Sequence, residues 1–175
     1  MTIERSTRSF SSARLARLAR RLLDASTLCA IATVSPQERS HVNTAYFAWD
    51  RDFGIVWLSA PESGHSRNLR ANPSVAIAVY DSTQAWGQPD RGIQLFGSAR
   101  EASGRSAEEA ERTYRRRFRA YRRDDFSDYR LYLLRPRRIK LFDEPALGPG
   151  TFVTARVGRD GRPAWQRTEI YRGSR

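Results

Sequence analysis

The sequence predicts a small, mainly β protein, an antiparallel β-barrel with helices at its periphery. Short apolar segments rich in β-branched residues recur between turns, an amphipathic helix precedes them, and a charged helix interrupts them late in the chain. The 175 residues suffice for one domain. The apolar stretches are too short for a membrane-spanning helix, and the single cysteine, Cys29, excludes an internal disulfide and a cysteine metal cluster.

The helices and strands follow from local patterns along the chain. Leucines at helical spacing predict a helix over residues 12–25, capped by Ser11 or Ser12. Two further helices are expected over residues 63–72, which Pro73 ends, and 106–121. Strands are expected over residues 28–34, 41–49, 53–59, 75–80, 92–99, 129–142 with a bend at Pro136, and 151–157.

The domain boundaries are expected where the apolar pattern stops. Residues 1–11 are polar, and we expect a flexible N-terminus there. The barrel domain is expected over residues 12–157, and residues 158–175 form a polar C-terminal tail that is either loose or packed on a partner subunit. The first 23 residues contain no apolar signal-peptide segment, so a cytoplasmic location is expected.

The chain is strongly basic, with a formal net charge of +12. A charge of this size raises the question of a nucleic-acid partner. However, 30 of the 31 basic residues are arginine, as in a GC-rich genome, and they are scattered along the chain. A nucleic-acid partner is therefore not expected, whereas a phosphate-bearing cofactor or an acidic small ligand needs only a few of these arginines.

The segment of residues 57–73 has the pattern most relevant to function. A strand ends at Ser59, a loop with Ser63 and Gly64 follows, and then a helix begins with His65 and Arg67. Helix N-termini offer free N–H groups and a positive field, and hydroxyl and guanidinium groups add donors, so the pattern is compatible with a phosphate site. An ordinary capped surface helix would give the same pattern.

The order of these segments resembles the pyridoxamine 5′-phosphate oxidase-like superfamily of FMN-binding split barrels. The likeness covers roughly residues 14–142 and includes the strand 41–49, the serine Ser59 that ends a strand, the sequence Arg67-Asn68-Leu69 before Asn72-Pro73, and a strand ending in Gly97. It implies an antiparallel six-stranded split barrel of the flavin-binding type. It also implies a homodimer with cofactor sites at the subunit interface.

The resemblance implies the cofactor-binding residues one by one. Those expected along the isoalloxazine are Asn43, Thr44 and Ala45; along the phosphate and ribityl chain, Trp57, Leu58, Ser59 and Ala60; on the phosphate, Ser63, His65, Ser66 and Arg67; and on the other side of the ring, from the second subunit, Gln94 and Trp86.

The function that the resemblance implies is an FMN-dependent oxidoreductase acting on a small organic substrate by hydride transfer. Many members carry lysine where this chain has His65, and a neutral histidine supplies a donor without a full charge. An F420-dependent reductase of the same fold, or a non-catalytic flavin- or haem-binding protein, therefore remains as an alternative. Vitamin B6 oxidation is not expected, because the late arginine-leucine-histidine type of signature is not recognisable.

No catalytic residue is assigned, because the sequence presents no convincing acid–base set. His41 and His65 are 24 residues apart and form no metal-binding motif, so no metal site is expected. In such a protein the cofactor carries the chemistry, and the chain binds and orients it.

Overall fold

The computed structural model describes residues 2–173, which divide into two compact units. The barrel unit comprises residues 27–77 and 96–136, and the second unit comprises the residues up to 26, 78–95 and those from 137 onward. The α-helices are α1 (Ser12–Asp24), α2 (Gly64–Ala71), α3 (Arg105–Arg117) and α4 (Glu144–Leu147). The strands are β1 (Thr2–Ser6), β2 (Leu28–Val34), β3 (Ser40–Trp49), β4 (Ile55–Ser59), β5 (Ser74–Tyr80), β6 (Arg91–Glu101), β7 (Arg130–Asp143), β8 (Thr151–Val157) and β9 (Pro163–Arg172).

Strands β2 to β7 form a closed antiparallel barrel, which confirms the predicted fold class. The strand order is β7-β4-β3-β2-β5-β6, and β6 pairs back with β7 to close it. Gly97 makes this closure possible, because a Cβ atom there would lie only 2.1 Å from the carbonyl oxygen of Arg135. The buried side chains of the strands include Ile31, Phe47 and Trp57, all 0% exposed.

Alternation of buried and exposed residues explains why these segments are strands. In β2, Cys29, Ile31 and Thr33 are buried, whereas Leu28 and Ala32 are exposed. Successive side chains of a strand point to opposite faces, so one set fills the barrel unit and the other lies on its surface.

The second unit contains α1 and the strands β8, β9 and β1. The leucine face of α1 is buried as the sequence predicts, and the helix packs against β9. Ser11 caps α1 by accepting a hydrogen bond from the backbone N–H of Arg14 at 3.3 Å. Arg21 of α1 donates to the buried carboxylate of Asp143 at 2.7 Å.

Within the described residues 2–173, both terminal segments contain a strand that the sequence does not predict. Within the expected flexible N-terminus, Thr2–Ser6 forms β1, and most of the expected tail forms β9. The two pair antiparallel from Thr2 opposite Arg172 to Ser6 opposite Thr168, and β9 also pairs with β8. Backbone hydrogen bonds explain the difference, because they form whatever the polarity of the side chains. Each strand pairs with the backbone N–H and C=O groups at the edge of its neighbour.

One further boundary differs clearly from the expected one, at the end of α3, whereas the late strand is a single strand as the sequence predicts. Strand β7 is continuous through Pro136, which lies between the segment that pairs with β4 and the segment that pairs with β8. Helix α3 ends at Arg117, four residues before the predicted end, and Phe118 follows in a non-helical conformation. Among the described residues, no helix is long and apolar enough to cross a membrane.

Candidate functional site

The barrel unit contains a cavity of about 550 Å³, here called the aromatic cavity. One side is formed by β3, β4 and the start of α2, with Asn43, Thr44, Ala45, Tyr46, Leu58, Ser59 and His65. The other side is formed by α3 and the segment that follows it, with Tyr114, Phe118, Ala120, Tyr121, Phe126 and Tyr129. Among these described lining residues there is no carboxylate, lysine or arginine, so the cavity is suited to an uncharged, flat group.

The strand side of the cavity contains a buried polar atom that lacks a hydrogen-bond partner. The side-chain oxygen Oδ1 of Asn43 is buried and has no hydrogen-bond partner among the described residues, while its Nδ2 lies 3.4 Å from the carbonyl oxygen of Thr44. A buried amide oxygen without a partner costs stability unless a ligand or water supplies a donor. Asn43 is therefore positioned to accept a hydrogen bond from a ligand ring.

Three serine hydroxyl groups meet where β4 ends and α2 begins, and Ser59, Ser63 and Ser66 are called the hydroxyl cluster. Ser63 is the N-cap of α2 in an extended conformation. Its Oγ donates to Oγ of Ser66 at 2.8 Å and lies 3.1 Å from Oγ of Ser59. The first N–H groups of a helix have no partner within the helix and create a positive end, so this cluster can hold an anion such as a phosphate.

His65 connects the hydroxyl cluster to the cavity. Its ring nitrogens lie 3.4 Å from Oγ of Ser63, and it is 6% exposed. Burial lowers the pKa of His65 below its ordinary value, and His41 lowers it further. The two imidazole rings are stacked with centroids 6.4 Å apart. His65 is therefore neutral at pH 7 and offers hydrogen bonds without a charge.

Gly64 allows His41 to approach the helix end. A Cβ atom at Gly64 would lie 2.9 Å from Nε2 of His41. The sequence places His41 at the start of an expected strand, and in the structure it is partly buried. Two histidines therefore meet at the start of α2, although neither their spacing nor their surroundings in the sequence indicate it.

The structure groups the sequence-predicted residues unequally. Asn43, Thr44, Ala45, Leu58, Ser59 and His65 line the aromatic cavity, and Ser63 and Ser66 adjoin it through the hydroxyl cluster. Trp57 is turned into the core, where it stacks on Tyr132 with ring centroids 5.7 Å apart. Ala60 is half-buried in the turn after β4, and the exposed Arg67 donates to the carbonyl oxygen of Glu62.

The two residues expected from a second subunit lie in the second unit. Trp86 is fully exposed, at 101%, in the loop between β5 and β6. Gln94 is half-buried in β6. The contact of either residue with a cofactor stays a prediction.

Five aromatic residues of the site were not expected from the sequence. Tyr114, Phe118, Tyr121, Phe126 and Tyr129 form one side of the cavity, here called the aromatic wall. The signal that could have found them is the recurrence of an aromatic residue every three to five positions from Tyr114 to Tyr129, although α3 itself ends at Arg117. Burial raises the pKa of Tyr114 to about 12, with Tyr121, Tyr46 and Cys29 adding to the rise, so its phenol stays protonated.

Cys29 is not a nucleophile in this arrangement. It is 2% exposed, and its Sγ lies 3.6 Å from the carbonyl oxygen of Ala45. Burial raises the pKa of the thiol to about 12. A thiol that stays protonated and inaccessible is inert.

Comparison with solved structures shows the same fold in proteins of distant sequence. A haem binding protein from Mycobacterium smegmatis is 18% identical with a TM-score of 0.63, and the match covers 86% of this chain and 60% of that one. A pyridoxamine 5′-phosphate oxidase-related, FMN binding protein from Nostoc punctiforme is 14% identical with a TM-score of 0.60, covering 89% and 93%. An F420 reductase is 23% identical with a TM-score of 0.53, covering 69% and 94%.

The names of these three proteins point to different cofactors: haem, FMN and F420. The match spans only three fifths of the length of the haem binding protein. No curated protein matches the chain. The family comparison is more direct, because residues 15–143 match the pyridoxamine 5′-phosphate oxidase family. The match covers most of the chain, including the barrel strands, the hydroxyl cluster and the aromatic cavity, and the chain belongs to the pyridoxamine 5′-phosphate oxidase family.

Proposed function

We propose that the chain binds FMN in the aromatic cavity and acts as an FMN-dependent oxidoreductase on a small organic substrate by hydride transfer. The observation that carries the proposal is the juxtaposition of an uncharged aromatic cavity and an anion-binding helix end. Ser59 and His65 belong to both, since they line the cavity and contact Ser63. FMN combines the same two features in one molecule, a flat ring system and a phosphate.

The residues present fit this cofactor by their chemistry. The hydroxyl cluster and the first N–H groups of α2 would hold the phosphate, and the neutral His65 would add one hydrogen bond. The unpartnered Oδ1 of Asn43 would accept a hydrogen bond from a ring N–H. When bound, FMN supplies the hydride chemistry, while the chain orients the ring and excludes water from it.

We further propose that two copies of the chain associate through the outer faces of β2 and β3. Uncharged side chains face outward there, and Leu28, Val42 and Tyr46 are 46%, 63% and 59% exposed. The register places Leu28 opposite Tyr46 and Ala32 opposite Val42, so these side chains form one patch. Because Tyr46 also lines the aromatic cavity, a second copy on this face would lie beside the cofactor.

The visible spectrum tests the cofactor directly. It is recorded on the protein as purified, and again after addition of FMN and desalting. Flavin absorption bands that survive desalting support the proposal, and a colourless protein after both steps contradicts it. Fluorescence quenching of FMN then gives the dissociation constant for variants.

His65→Ala is expected to weaken FMN binding about tenfold, the value of one hydrogen bond to a charged group. His41→Ala is the matched control, because it removes the neighbouring imidazole, which does not line the cavity. Its dissociation constant is expected to stay within about twofold of the original. Equal weakening in both variants would contradict the assignment of His65 to the phosphate.

Haem is a second candidate, favoured by one observation. The neutral, buried imidazole of His65 lines the cavity, and neutral imidazole is a metal ligand. A Soret band on addition of haemin, lost in His65→Ala, would favour haem over FMN. An F420-dependent reductase is the remaining alternative, and tighter binding of F420 than of FMN in parallel titrations would favour it.

A further inference from the structure

We infer that the aromatic wall is a subsite for a planar, uncharged aromatic ligand, and that the hydroxyl group of Tyr121 makes its polar contact. Naming this ligand as the substrate rests on the proposed function. The subsite itself rests only on the geometry of the barrel unit.

The rings of the aromatic wall form a continuous series of contacts. The ring centroids of Tyr114 and Phe118 are 4.7 Å apart, and those of Tyr114 and Tyr121 are 5.2 Å apart. Tyr121 then stacks on Phe126 at 5.7 Å, and Phe126 meets Tyr129 edge-on at 5.8 Å. Aromatic rings at these separations attract further rings in offset or edge-on arrangements, so the wall favours a flat aromatic ligand.

The cavity offers no charged partner to a ligand. The described residues that line it include no carboxylate, guanidinium or ammonium group. Arg115, Arg119 and Arg122 are close in sequence but exposed, and the half-buried Arg117 lies over the ring of Phe47 at 4.5 Å. None of the four is among the lining residues. Tyr46 and Tyr129 are exposed, so the cavity is open on one side. A charged ligand would lose part of its hydration against the buried rings without an opposite charge to replace it, so an uncharged ligand is favoured.

Tyr121 supplies the specific evidence for a polar contact. It is 5% exposed, it lines the cavity, and its hydroxyl oxygen is buried without a hydrogen-bond partner among the described residues. A phenylalanine would make the same ring contacts, whereas the hydroxyl adds a desolvation cost unless something pairs with it. A ligand with a carbonyl or hydroxyl group on its ring satisfies that hydroxyl.

Three naphthalene probes test the inference on the purified chain without added cofactor. 2-Naphthol is flat, uncharged at neutral pH and carries a hydroxyl group, naphthalene lacks the hydroxyl, and 2-naphthoate carries a negative charge. Binding is measured by titration at physiological salt, which screens the net charge of the chain. We expect 2-naphthol to bind at least about tenfold more tightly than 2-naphthoate, because the cavity offers no partner for the carboxylate.

Tyr121→Phe separates the hydroxyl from the ring. We expect it to weaken 2-naphthol binding about 3- to 10-fold, the value of one neutral hydrogen bond, and to leave naphthalene binding within about twofold. Tyr132→Phe is the matched control, because it removes a phenol hydroxyl from a buried ring that packs on Trp57 and does not line the cavity. It should change neither affinity, and circular dichroism checks the fold of both variants.

Each outcome decides one part of the inference. Equal or tighter binding of 2-naphthoate overturns the preference for an uncharged ligand, and failure of all three probes overturns the subsite. Equal effects of Tyr121→Phe on naphthol and naphthalene overturn the role of the hydroxyl. Failure of the proposed function is distinguishable, because a protein that binds 2-naphthol but not FMN keeps the subsite and loses the flavin assignment.

Discussion

Asn68 is expected to hold the candidate phosphate site in place, and its substitution should reduce the stability of the chain measurably. The side-chain Nδ2 of Asn68, on α2, donates to Oγ1 of Thr33, on β2, at 3.0 Å. The two residues are 7% and 2% exposed. Asn68→Ala leaves the hydroxyl of Thr33 buried without this partner, which costs about 2 kcal/mol of unfolding free energy. For a chain of this size that loss lowers Tm by about 4–8 °C.

A double-mutant cycle tests whether the hydrogen bond itself causes the loss. Urea unfolding followed by circular dichroism is measured for Asn68→Ala, Thr33→Val and the double variant. Because the second substitution removes a group that the first has already left unpaired, the double variant should be about 1 kcal/mol more stable than additivity predicts. Free energies that add to within about 0.5 kcal/mol would refute the reasoning. FMN affinity should fall in both single variants, because each loosens the helix that carries Ser63 and His65.

Two further predictions follow from the site and the outer face of the barrel unit. The pKa of His65 lies below the value of 6.5 that it has in the unfolded chain, so the unfolded chain binds the proton first as pH falls. The unfolding free energy should therefore fall from pH 7.5 to pH 5.5, and it should fall less in His65→Gln. Equal pH dependence of the unfolding free energy in the two proteins would contradict the neutral, buried imidazole. Val42→Arg places a charge on the exposed face of β3 and should convert a dimer into a monomer in light scattering with little change in Tm; an unsubstituted chain that is already monomeric contradicts the proposed association.

The barrel could be predicted because its signals are local. Cys29, Ile31 and Thr33 alternate with exposed neighbours in β2, and each strand of the barrel ends near a turn residue or proline. The helix that carries His65 could also be predicted from the sequence, because Ser63 caps its start and Pro73 follows its end. The family resemblance then named individual residues for cofactor contacts, and six of them line the aromatic cavity, while their contact with a cofactor stays a prediction.

The pairing of the two ends of the chain could not be predicted in the same way. Thr2 lies opposite Arg172, and neither β1 nor β9 has an apolar sequence that stands out. Their strand structure depends on backbone hydrogen bonds to partners that are remote in sequence. Composition indicated a flexible N-terminus and a C-terminal tail that is loose or packed on a partner subunit, whereas long-range pairing produces a strand in each segment.

The chemistry of the site depends on burial, which the residue types alone do not reveal. The net charge of +12 favours an anionic partner, yet no charged side chain is among the described residues that line the aromatic cavity. His65 stands where the family resemblance implies lysine in many members. It is nevertheless neutral, because burial and the neighbouring His41 lower its pKa. At the start of α2, hydroxyl groups and helix N–H groups supply short-ranged hydrogen bonds to a phosphate without a full charge, and a contact between Arg67 and the phosphate stays a prediction. Binding of a phosphate cofactor should consequently depend more on the geometry of Ser59, Ser63 and Ser66 than on ionic strength.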